Sequence, residues 1–181
     1  SEMCIRDRRE GGENASYSRE FAFSKSTGRP AVLNTKPNDS YTFEGASLLV
    51  DGYHSRPVFT SGAWLGYLDE PLDVTIDMGG EQSYRSVELE TLAEKGDWIF
   101  PPSSVTVWVS DNGTDFTEVA SVAVPEAKAG DADGIGRYRM QFPETSARYL
   151  KVVAQNAAAI PAWHPGAGSK GFLFVDEVVV E

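Results

Sequence analysis

The chain has 181 residues, 16 Lys and Arg against 27 Asp and Glu, and a formal net charge of −11. That length suits one domain able to bury its own core, and the acidic balance excludes a nucleic-acid or anionic-membrane surface, where a positive field must offset phosphate charge. Cys4 is the only cysteine, so no intrachain disulfide forms, and no stretch approaches the roughly 20 apolar residues of a membrane-spanning helix.

Residues 1–20 hold Arg6, Asp7, Arg8, Arg9, Glu10, Gly11 and Gly12 without apolar periodicity. They are expected to be a disordered N-terminal extension or linker, with no apolar run of the secretory-signal type. From Phe21 the character changes, and residues 21–181 read as the folded domain. Lys25 to Leu33 joins a Gly/Pro turn to a short strand, and Asp51-Gly52 turns the chain after Leu48-Leu-Val50.

In Leu72 to Met78, Leu72, Val74, Ile76 and Met78 alternate with Asp73, Thr75 and Asp77, the period of a half-buried strand. Gly79-Gly80 is expected to end it. Tyr84 to Leu92 forms the next strand, with Val87 and Leu89 inward and Glu88 and Glu90 outward. Ala93 to Pro102 is a loop, because its paired prolines are incompatible with a central strand. Val105 to Val109 alternates again, and Asn112-Gly113 marks a hairpin to Phe116–Val124. Arg137–Phe142, Ala147–Ala154 and Phe172–Val180 complete the strands, with a long Pro/Gly loop over 156–170. Every long apolar pattern has period 2, so the expected fold is all-β, an antiparallel β-sandwich of about eight strands. Trp64 and Trp108 lie in strand context and are assigned to the core; His54, in a polar loop, is expected to be exposed.

The succession Ser47-Leu-Leu-Val-Asp-Gly52, Trp64-Leu-Gly66, Asp73 to Gly79, Val105 to Phe116, Ala147 to Val152 and Val175-Asp-Glu-Val178 resembles the coagulation factor V/VIII type C, or discoidin, domains, a family that contains the family 32 carbohydrate-binding modules. The resemblance runs from about residue 24 to 181. Its Gly96-Asp-Trp-Ile-Phe-Pro101 and Pro161-Ala-Trp-His-Pro-Gly-Ala-Gly-Ser-Lys-Gly171 loops are similar to those of the C-terminal modules of bacterial glycoside hydrolase family 20 β-hexosaminidases. It implies a jelly-roll-like, galactose-binding-domain-like sandwich with no catalysis of its own, accessory to a catalytic domain in the same parent protein. It also implies glycan binding by end loops and, in many members, a structural calcium ion. The expected setting is a larger periplasmic, cell-surface or secreted protein, and the expected partner a glycan containing N-acetylhexosamine or galactose, bound by a monomer. An alternative is a structural module that binds no glycan and packs against its catalytic neighbour.

Calcium needs several hard oxygen ligands brought together by the fold. Asp51 and Glu177 match the family's acidic positions and Thr60 its threonine position, although the loop is longer than the family's compact spacing. The plainer reading has Asp51 capping a turn and Glu177 solvated at a strand edge. Sugar binding needs an aromatic face for the C–H side of a pyranose and a few polar groups for its hydroxyls. Trp98, Trp163 and His164 sit in Pro/Gly loops; Lys95, Asp97, Lys170 and Arg56 are the polar candidates. Against this, the Trp98-Ile-Phe100 run also suits a buried hydrophobic lid. Catalysis has no motif to rest on: nucleophile-elbow, zinc-protease, P-loop and dinucleotide patterns are all missing from the sequence.

Overall fold

The structure, a computed structural model, describes residues 2–5 and 17–181. Glu2–Ile5 (β1) and Tyr17–Glu20 (β2) pair antiparallel as a small sheet of their own. The rest of the expected extension, residues 1 and 6–16, lies outside the described residues. Seven strands form the main sheet: Ala31–Leu33 (β3), Leu65–Tyr67 (β4), Leu72–Ala93 (β5), Ser104–Ser110 (β6), Thr117–Ala123 (β7), Gly134–Gln155 (β8) and Leu173–Val180 (β9). All their ladders are antiparallel. Among the described residues the only helical segments are short 3-10 turns.

β5 and β8 are each 22 residues long, well beyond an ordinary strand of about 3–10 residues, because each serves both layers of the sandwich. Their first pairing joins 72–77 of β5 to 149–154 of β8, beside β3 on one side and β6 and β7 on the other. Their second joins 86–93 to 134–141, beside β9 and then β4. Register shifts between Asp77 and Gln82 and between Tyr84 and Ser86 mark the corner, where bulges bend a strand without ending its pairing. Gly79-Gly80 therefore turns the chain between layers and does not terminate it as expected. Gly79 sits at φ 79° and donates its N–H to Asp77 Oδ1 at 2.9 Å. The hydrogen-bonded Arg148 guanidinium, 2.8 Å from Asp77, holds that carboxyl down at about 2.

The core lies between the layers and follows the alternation of the sequence: Leu72, Val74, Ile76, Met78, Val87, Leu89, Val105, Val107, Leu150 and Val152 are all fully buried. Leu48, Leu49 and Val50 join it from a 3-10 turn, Gly45–Val50. Trp108 is only half-buried. It stands between the inward Val107 and Val109, so the same period that buries the valines turns it outward.

A second cluster, Trp64, Leu92, Ile99 and Phe174, forms on the outer face of β5 and β9. The 51–64 segment covers this face, and Trp64 donates its indole N–H to Arg56 O at 3.0 Å. Tyr41 packs into the same layer, its ring centroid 4.8 Å from that of Phe174. Gly66 is enclosed there: an added Cβ would stand 2.8 Å from Tyr41 Cβ and 2.9 Å from Phe174 Cζ. Gly66→Ala is expected to cost about 1–3 kcal/mol by overpacking. Chemical denaturation would read this as a lowered midpoint, and an unchanged midpoint would contradict the packing.

Candidate functional site

Two places gather the residues singled out by sequence. One is an acidic corner on β9. Asp176 and Glu177 are adjacent in the strand and so face opposite ways, yet both are buried. Asp176 Oδ2 accepts the Ser55 N–H at 2.8 Å, and Glu177 Oε2 accepts the Gly52 N–H at 3.2 Å. Glu177 Oε1 has no partner. Burial pushes Asp176 up to about 8 and Glu177 up to about 9, the nearby Asp51 charge adding to the latter. Asp51 reaches solvent, but its carboxyl is raised too, chiefly by the protein atoms displacing water around it; its Oδ1 accepts the Tyr53 N–H at 2.7 Å.

Asp51 thus caps the turn, as the plainer reading had it, but Glu177 is the reverse of a solvated edge residue. Thr60 is exposed on the turn Phe59–Ser61 and makes no hydrogen bond to either carboxylate among the described residues. His54 is not free in solvent: its Nδ1 lies 2.9 Å from Glu90 Oε2, which also accepts Arg137 Nε at 2.9 Å. Glu90, expected to point outward into water, does point outward from the core but is buried beneath the 51–64 segment. For a cation, Asp51 and Glu177 are the two side chains that converge. No group of three His, Cys, Asp or Glu side chains among the described residues is placed to hold a metal, so further oxygens would have to come from the backbone.

The other place is the loop-built end of the sandwich. Glu94 and Ile99 exchange backbone hydrogen bonds at 3.0 and 3.2 Å across the 3-10 turn Lys95–Asp97. The loop closes with Trp98 at φ 65°, a left-handed conformation that an L-residue holds at a cost of about 1–2 kcal/mol. The surrounding contacts maintain it. Phe172 donates its N–H to Trp98 O at 2.8 Å, and Gly166 lies against the indole so closely that a Cβ would come within 2.8 Å of Cζ2.

His164 is the centre of this end. Its Nε2 faces Lys95 O at 3.0 Å and must donate, and its Nδ1 accepts the Gly166 N–H at 3.0 Å, which fixes the tautomer. The Trp98, Trp163 and Phe100 rings stand edge-on around it at 6.0, 5.6 and 5.5 Å. With both nitrogens engaged inside the protein, His164 positions the tryptophans and has no free donor or acceptor pair for a ligand. Trp163 is further held by donating its indole N–H to Ala127 O at 2.9 Å.

The lid and platform readings divide within one loop: Ile99 and Phe100 are buried, whereas Trp98 is 42% and Trp163 39% exposed. Asp97 is exposed beside Trp98. Lys95 is buried, with Nζ on Asp133 and, at 2.9 Å, on Asp131 O, so it ties two loops together. Lys170 pairs with Asp69 at 2.6 Å on the surface. Arg56 is exposed in the 51–64 segment, and no ring or ion-pair contact joins it to Trp98 or Trp163 among the described residues. Sequence reasoning missed a neighbouring aromatic surface, where Tyr41 meets Phe43 at 6.5 Å and Phe172 at 5.5 Å; the exposed Phe43 in the 38–44 loop was its signal. It also missed a hollow of about 380 Å³ between Phe100, Pro101, Ala127 and Ile160.

Comparison with solved structures finds the same fold in chitosan-binding module 1 of a chitosanase/glucanase from Paenibacillus sp. IK-5, at TM-score 0.56 and 17% identity, covering 88% of this chain and 98% of that one. A Streptococcus pneumoniae fucose binding module matches at TM-score 0.53 and 22% identity over 88% and 94% of the two chains. A Clostridium perfringens module solved with GalNAc-beta-1,3-galactose matches at 0.53 and 16% over 83% and 93%. No curated protein matches the sequence. The F5/8 type C domain matches residues 33–170, from the end of β3 to the loop that carries Trp163, and with the bent two-layer sheet this establishes that the chain belongs to the F5/8 type C domain family.

Proposed function

We propose that the chain is a non-catalytic carbohydrate-binding domain, accessory to a larger glycan-active protein, and that Trp98 and Trp163 are its sugar-stacking residues. The observation that carries this reading is the pair of exposed indoles fixed on one buried imidazole. Rigid aromatic faces stack on the C–H side of a pyranose at little entropic cost. Asp97, beside Trp98, accepts from sugar hydroxyls. Chitosan, fucose and GalNAc-beta-1,3-galactose named for the structural neighbours support a glycan as the ligand class, and the last of them supports one containing N-acetylhexosamine or galactose. Tethering such a domain raises the local concentration of a catalytic neighbour's substrate, in a periplasmic, cell-surface or secreted protein.

The acidic corner binds a structural calcium ion through Asp51 and Glu177. The unpartnered Glu177 Oε1 supports that assignment. The ion would supply charge compensation for the buried Glu177 carboxylate and take no part in sugar contact.

Glycan-array and affinity-gel measurements test the binding reading. Trp98→Ala and Trp163→Ala are each expected to weaken retention at least tenfold, about 1.4 kcal/mol, while the domain still unfolds cooperatively. Retention unaffected by both substitutions would refute it.

A further inference from the structure

Three hollows lie along the loop end and share walls. The first, about 380 Å³, is bounded by Phe100, Pro101, Pro125 and Ile160 and reaches Ala157 and Ala158. Those two alanines also wall the second, about 220 Å³, which holds Asn156 and Lys170. Leu68, Asp69 and Glu70 then wall both the second and the third, about 280 Å³, which ends at Lys36 and Asp39. Two of the three fall below the roughly 300 Å³ at which single small-molecule sites begin. Joined, they form a trough across the end of the sandwich.

From this we infer a binding site for an extended oligosaccharide of at least three sugar units, laid along the trough away from the tryptophans. It rests on the glycan reading above and adds the length of the ligand and the surface that measures it. The first hollow is continuous with the Trp163 platform, since Ala127, whose carbonyl anchors the Trp163 indole, lines it. Its proline, alanine and aromatic walls suit the C–H face of a pyranose. The middle hollow is polar. Asn156 donates its amide N–H to Tyr67 O at 3.1 Å and to Leu68 O at 3.4 Å, which fixes its orientation and leaves Oδ1 buried without a donor. Lys170–Asp69 at 2.6 Å and Lys36–Asp39 at 2.6 Å flank the remaining length as exposed ion pairs. Such pairs contribute only about 0–1 kcal/mol, so sugar hydroxyls replace their mutual contact at small cost.

The test is titration calorimetry of the domain with mono-, di-, tri- and hexasaccharides of β-1,4-linked N-acetylglucosamine and of β-1,4-linked glucose. Affinity is expected to rise at least tenfold from monosaccharide to trisaccharide in one of the series. Ala158 is exposed on the ridge common to the first two hollows, so Ala158→Trp obstructs the trough without entering the core. It is expected to return the trisaccharide to the monosaccharide's affinity, with melting temperature unaltered, while Ala158→Ser keeps the length dependence. Equal affinity at every length in both series, or a length gain that survives Ala158→Trp, overturns the trough. Monosaccharide binding through Trp98 without length dependence sinks the trough alone. Failure of every sugar in both series, together with an empty glycan array, sinks the glycan reading with it.

Discussion

Replacing His164 with alanine is expected to lower stability by about 3 kcal/mol and to abolish glycan retention, a larger combined loss than removal of either tryptophan. The imidazole satisfies two backbone groups at once, Lys95 O and the Gly166 N–H, each at 3.0 Å. Leaving a buried donor or acceptor unpaired costs about 1–3 kcal/mol, and the void among Trp98, Phe100 and Trp163 adds a packing loss. Those same contacts set the indole orientations, so binding falls with stability. Trp163→Ala differs: the residue is 39% exposed and its one hydrogen bond is to Ala127 O, so a single acceptor is opened, retention is lost, and the stability loss of about 1–2 kcal/mol is smaller than that of His164→Ala. Denaturation midpoint and affinity-gel retention measured on the same samples separate the two patterns. His164→Gln, able to restore one of the two hydrogen bonds, should fall between wild type and alanine. An unchanged midpoint with undiminished retention in His164→Ala would remove His164 from its central place.

Strand alternation made most of the sandwich legible. Leu72, Val74, Ile76 and Met78 are buried on one face because a period-2 pattern leaves no other solution. The same rule erred on Glu90. Periodicity says which face a residue takes, not what covers that face, and here the distant 51–64 segment does so. Trp108 shows the converse: strand context alone does not bury a residue, and the register set by Val107 and Val109 turns it outward. At the loop end, Trp98 and Trp163 were legible as candidates from their Pro/Gly context, but the division between exposed indole and buried Ile99-Phe100 depends on a left-handed φ at a tryptophan, which composition does not encode. The role of His164 depends on Lys95 and Gly166 meeting it from opposite sides. The trough is assembled from five segments remote in sequence, and none of them carries a motif.

In the presence of chelator, the domain is expected to melt at progressively lower temperature as pH rises from 5 to 8, and calcium is expected to flatten that slope. Glu177 is raised to about 9 and Asp176 to about 8, burial being the first cause for each. A carboxyl whose folded pKa lies above its unfolded value binds its proton more tightly in the native state. Its contribution is fully present below the unfolded value of about 4 and is lost as pH climbs through the folded one. For one such group the loss between pH 5 and 8 is on the order of 3 kcal/mol. A calcium ion at Asp51 and Glu177 opposes it by favouring the ionised form, so its stabilising increment grows with pH and with concentration. Glu177→Gln keeps the shape of the side chain and removes the titration. It should melt higher than wild type at pH 8 in chelator, show a shallower slope from Asp176 alone, and gain nothing from calcium. A wild-type melting curve that calcium leaves unmoved at pH 8, where the increment is largest, would remove the ion from the acidic corner, while a slope in chelator steeper than that of Glu177→Gln would still stand as evidence that Glu177 is buried with its proton.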